Sequence, residues 1–194
     1  MDRFEYLIAL VSVVAGLAIT HTLSSIARIV NARQTISISW IPLSYCASLL
    51  LWLIAFWWFT FQYSGDVNWT PWLHIFVLIY AGLIYFLLAL LIPENIEEHH
   101  DMLDHFIKNR KLFFGSFLFL PLVDIIDSWI KLGIGDQYIF NPVYWIHMLS
   151  WIIIGFTGIM NTKPKLHAGL SIVFLFEVII WLSTSITGAF YFSK

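Results

Sequence analysis

Three carboxylates stand inside long apolar runs of this chain, Asp124, Asp127 and Glu177, and an ionised carboxylate in hydrocarbon costs several kcal/mol unless it is paired, hydrated or protonated. Asp124 and Asp127 are three residues apart and share one face of a helix. Lys131, four residues beyond Asp127, is placed for an ion pair along that helix. The pairing leaves Asp124 alone. It also puts Asp127 and Lys131 near the end of their apolar run, where a lysine snorkels to the interface. Pro121, one turn earlier, removes a backbone donor and predicts a kink that frees the carbonyl of Ser116 or Phe117.

Glu177 has Phe174, Phe176, Val178 and Ile179 around it and no basic residue near it in sequence. At about 1.5 Å rise per residue, Glu177 lies roughly 16 Å and His21 roughly 10 Å from the same end of the bundle. The expectation is a Glu177–His21 pair, direct or through water. His147 belongs to a further set, His147, Ser150, Thr157 and Asn161, at near-helical spacing. Such groups in a membrane suit a hydrated path for an ion, a proton or a small polar solute, with Glu177, Asp124 and His21 as its lining and Asp127, Lys131 and His147 beside it. His74 and His147 fall at similar depths, so bis-imidazole haem ligation is an alternative reading. The expectation is no cofactor and no metal: His99, His100 and His105 match no zinc spacing.

The elements that must position these groups follow from composition. Hydrophobic residues are 60% of the 194 positions and charged residues 11%, against about half and about a quarter in soluble domains. The apolar runs divide into six candidate spans, 6–27, 40–63, 72–92, 112–132, 139–160 and 166–192, each long enough for hydrocarbon about 30 Å thick. The runs are continuous, not alternating, which selects helices over a barrel. The expected fold is all-α: a polytopic six-transmembrane-helix bundle forming a single domain over 1–194, with one short amphipathic cytoplasmic helix at 93–110. That helix carries Glu94, Glu97 and Glu98 near its start and Lys108 and Arg110 near its end, as its dipole favours. Ile96, His99, Leu103, Phe106 and Ile107 recur at helical spacing, giving a face that rests on the interface. Ser12, Gly16, Thr20 and Ser24 repeat every four residues on the first span, a small-residue face for close helix packing.

Arg28, Arg33, Lys108, Arg110, Lys111, Lys163 and Lys165 fall on one side of this topology. The positive-inside bias then places both termini outside, in a bacterial inner membrane. Trp57, Trp58, Trp69, Trp72, Trp129 and Trp145 gather at the opposite interface, where indoles concentrate. Asp2 and Glu5 beside Arg3 are not the positive region of a cleaved signal, so the first run is read as a retained helix. A net charge of −2 with no basic patch argues against nucleic acid. The lone Cys46 excludes an internal disulfide. Lipid is the expected surrounding, with a homo-oligomer or a membrane partner protein as further possibilities. No nucleophile elbow, Walker loop or dinucleotide-binding glycine pattern is present, which ranks transport or conduction first, a sensory, binding or scaffold subunit second, and an intramembrane redox or lipid-modifying enzyme third.

Overall fold

Short polar residues and prolines set where the helices begin. Ser39, Thr70, Asp101 and Asn141 occupy extended backbone and accept hydrogen bonds from Ile41, Leu73, Leu103 and Val143 N–H groups, each satisfying a first-turn donor. Pro71, Pro142 and Pro164 open their helices, where a missing N–H costs nothing. The structure, a computed structural model, describes residues 3–64, 69–92, 101–132 and 140–186. It contains α1 (Arg3–Asn31), α2 (Trp40–Phe59) followed by a 3-10 turn (Thr60–Ser64), α3 (Pro71–Leu91), α4 (Met102–Phe117), α5 (Phe119–Leu132), α6 (Pro142–Met160) and α7 (Pro164–Ile186). No β-strand occurs among the described residues, and Ser37 makes only an isolated bridge to Asp101.

Among the described residues six helices are long and apolar enough to cross a membrane, with α4 and α5 together forming one of them. Leu10, Val13, Leu17 and Leu23 of α1 and Ile172, Val173, Phe176 and Ile180 of α7 are exposed. An outer surface of this kind is consistent with an integral membrane protein. α2 lies at the centre, against α1, α3, α4 and α7; α1 packs on α3 and α2, α7 on α2 and α6, and α4 on α6 and α3.

Two expectations about the elements are corrected. Residues 102–110 do not form a separate surface helix; they are the first turns of α4. Their apolar face is covered by protein, with Met102 and Phe106 buried and the Phe106 ring against Tyr45 and His167. Only the Asp104–Lys108 ion pair, at 2.6 Å, faces outward. Residues 93–100 of that expected helix, which include His99 and His100, lie outside the described residues, as do residue 139 of the fifth expected span and residues 187–192 of the sixth. The second correction concerns α1. Ser12, Gly16, Thr20 and Ser24 are all exposed, with Ser12 alone accepting from the Trp57 indole of α2 at 2.9 Å, and the packed face is Leu7, Val11, Ala15, Ala18, Thr22, Ser25 and Ile29.

Close helix approach occurs instead at Gly155 and Gly158 of α6, which face α4. A Cβ at Gly158 would stand 2.5 Å from the Phe114 ring, and one at Gly155 would stand 2.5 Å from a Leu118 methyl. Phe114 is boxed in by Tyr45, Phe106, Phe113, Phe117 and His167, so its ring has nowhere to move. Leu118 is half-buried at the junction of α4 and α5. Gly158→Ala is therefore expected to destabilise by about 1–3 kcal/mol, and Gly155→Ala by less. Unfolding titrations in mixed detergent micelles check the order; equal costs would show that the Phe114 ring yields as easily as the leucine.

Candidate functional site

The inward face of α5 is polar. Asp124, Asp127 and Ser128 are buried on it, and the Lys131 side chain is 3% exposed. The i, i+3, i+4, i+7 spacing puts all four on one stripe. Lys131 Nζ lies 2.5 Å from Asp127 Oδ2, and its ammonium stands 4.9 Å from the Tyr63 ring centroid and 5.9 Å from that of Phe56. The expected Asp127–Lys131 pair thus forms, but inside the bundle. It does not snorkel, because the two rings and the Tyr63 hydroxyl enclose it. Tyr63, from the turn after α2, donates to Asp127 Oδ1 at 2.7 Å.

Asp124 is not alone. Tyr80 of α3 donates to its Oδ1 at 2.8 Å and Tyr144 of α6 to its Oδ2 at 3.4 Å. The Trp52 indole N–H of α2 donates to the Tyr80 oxygen at 3.1 Å. An indole N–H can only donate, so Tyr80 spends a lone pair on Trp52 and its proton faces Asp124. Trp52 also borders the second group of polar residues, since its ring lies against His147 and Trp151.

That second group corrects the expected Glu177–His21 pair. Glu177 Oε1 sits 3.0 Å from His147 Nδ1 and within hydrogen-bond distance of the Ser150 hydroxyl. The His147 ring stacks on Trp181, with centroids 4.3 Å apart and planes at 6°. His21 instead meets the edge of Tyr85. The reason is helix order. α7 packs beside α6 and α2, while α1 lies against α3 and α2, and α7 starts at Pro164, two residues before the predicted start, which moves Glu177 further from that end. His147 is 97% enclosed, and its Nε2 and Glu177 Oε2 are buried with no hydrogen-bond partner among the described residues. The His21 Nε2 is likewise unpartnered.

His74 and His147 have separate surroundings. The His74 Nδ1 lies 3.0 Å from the Thr70 carbonyl and its ring lies beside Trp69, whereas His147 belongs to the Glu177 group. No cluster of three or more His, Cys, Asp or Glu arranged for a metal ion occurs among the described residues.

Below the polar groups the bundle is closed by rings: Tyr45, Phe113, Phe114, Phe117, Trp151 and Phe174 are all buried and in mutual contact. The structure thus assembles Lys131, Asp127, Asp124, His147 and Glu177 in one half of the bundle, on α5, α6 and α7, and leaves His21 outside the set. Tyr63, Tyr80, Tyr144, Trp52 and Ser150 complete it. No protein-family model, curated protein or solved structure matches the chain.

Proposed function

We propose that the chain is an integral membrane protein that crosses the bilayer six times, its basic end cytoplasmic and both termini outside, and that the cluster carries a proton through part of a transport cycle. One observation carries this reading, the charge count. Three carboxylates face one ammonium and one imidazole, so even with the imidazole charged the set is one positive charge short. Burying net charge without compensation is costly. A proton shared by the carboxylates supplies the missing charge.

The contacts of Ser150 support this reading. Its oxygen reaches both Glu177 Oε1 and, at 2.8 Å, the His147 carbonyl, yet a hydroxyl has one proton to give. When that proton goes to the carboxylate, Glu177 is served as an anion. When it goes to the carbonyl, Oε1 faces a lone pair and the contact requires a proton on Glu177. The side chain thus accommodates both protonation states without moving.

The test is proton flux into liposomes containing the purified protein and a trapped pH dye under an imposed pH gradient. Glu177→Gln, which keeps shape and removes the exchangeable proton, is expected to lower flux at least about tenfold, the scale of a 1.4 kcal/mol change. Wild-type vesicles no leakier than empty ones, or full flux in the variant, would reject the assignment. The ring block beneath the cluster favours one second reading, a sensory or scaffold subunit whose acids only join helices; in that case Glu177→Gln lowers stability and leaves flux at the empty-vesicle level in both forms.

A further inference from the structure

α4 and α5 form one span but are held in opposite ways. α4 is locked by apolar packing: Phe114 presses on Gly158 without room for a methyl group, and Phe106, Phe113 and Phe117 are fully enclosed. α5 buries Leu120 and Pro121 at its start; beyond them its buried positions are Asp124, Asp127, Ser128 and the Lys131 side chain, with Val123 and Ile125 only partly covered. Its polar attachment to the rest of the bundle runs through three tyrosine hydroxyls, Tyr63, Tyr80 and Tyr144, aimed at two carboxylates, beside the Lys131 ammonium held against the Phe56 and Tyr63 rings. Where the halves meet, Leu118 keeps helical backbone and its N–H donates to the Phe114 carbonyl at 3.1 Å. The missing rung is the next one along: Pro121 has no N–H to offer the Phe117 carbonyl.

We propose that α5 is a hinged gate over the acid cluster, pivoting at residues 117–121 while α4 stays fixed. Interlocked rings resist small displacements from every side, whereas a hydrogen bond to a carboxylate is released in one step when the carboxylate changes charge. The groups facing the two acids are Tyr63 from the turn after α2, Tyr80 from α3 with Trp52 of α2 behind it, Tyr144 and His147 from α6, and Lys131 on α5 itself. Protonation of the acids weakens the tyrosine bonds and releases the gate. A tilt of about 15° carries the far end of a helix roughly 20 Å long by roughly 5 Å, and moves Asp124 by roughly 2 Å and Asp127 by roughly 3 Å, enough to break their bonds to the tyrosines. The trigger rests on the proton reading above; the hinge rests on the packing alone.

Spin labels separate the two. In a Cys46→Ala background, labels at Ile130→Cys on α5 and Trp58→Cys on α2, both exposed in the structure, report the gate, and labels at Leu112→Cys on α4 and Phe156→Cys on α6 report the fixed half. Tyr63→Phe with Tyr80→Phe is expected to shift the α5 distance by about 5 Å and leave the α4 distance alone, and Pro121→Ala is expected to narrow the α5 distribution to one population. Unchanged α5 distances in both variants, or equal shifts in both label pairs, overturn the hinge. A gate that opens in the tyrosine variant but ignores pH between 5 and 8 keeps the hinge and removes the proton as its trigger.

Discussion

Lys131→Met is expected to cost about 3–5 kcal/mol of stability, the scale of a buried ion pair broken from one side. The lysine side chain is 3% exposed and its partner Asp127 5%, so water cannot replace the missing ammonium. Methionine fills the same space between the Phe56 and Tyr63 rings and leaves the carboxylate facing only the Tyr63 hydroxyl. The double variant Lys131→Met with Asp127→Asn should recover most of the loss, because the amide oxygen still accepts from Tyr63 and no charge remains. Unfolding in mixed micelles measures both. A single variant as stable as the wild type would mean that the pair is solvated in the folded protein, and a double variant no better than the single would mean that Lys131 acts through its packing.

The six helices were legible because the signals behind them are local and redundant. Continuous apolar runs, a capping Ser, Thr, Asp or Asn, and a proline at the first turn coincide at the starts of α3 and α6, and each restricts the chain independently. The Asp127–Lys131 pair was legible for the same reason, since four residues along a helix fix two side chains side by side. Its depth was not, because the rings that enclose it come from α2 and the turn after it. Tertiary neighbours carry no such local signature. Nothing in the spacing of Tyr63, Tyr80 and Tyr144 distinguishes them from interfacial tyrosines, although all three are fully enclosed. Glu177 stands out in the sequence as an acid within an apolar run, yet its partner turned on which helix packs beside α7. Depth arithmetic pointed to His21; adjacency selects His147. The surface helix failed for a related reason: an amphipathic stretch reads the same whether its apolar face meets lipid headgroups or the ring of Tyr45.

Trp52 joins the two acid groups, and its removal is the second large effect expected. The side chain is 2% exposed, donates to Tyr80 and lies against Trp151 and His147. Trp52→Ala should cost about 3–5 kcal/mol through the cavity it leaves. Trp52→Phe keeps most of that packing and deletes only the donor, so it isolates the link. Tyr80→Phe deletes the next oxygen and orphans both the indole N–H and Asp124 Oδ1, for about 1–3 kcal/mol. If the indole orients the tyrosine proton toward Asp124, the two Phe substitutions cannot add: once Tyr80 is gone the indole has no acceptor to lose, and the cycle should show about 0.5–3 kcal/mol of coupling. Additive costs would break the link, leaving Asp124 with its tyrosines and Glu177 with its histidine as two independent sites, and a proton entering at one would have no defined route to the other.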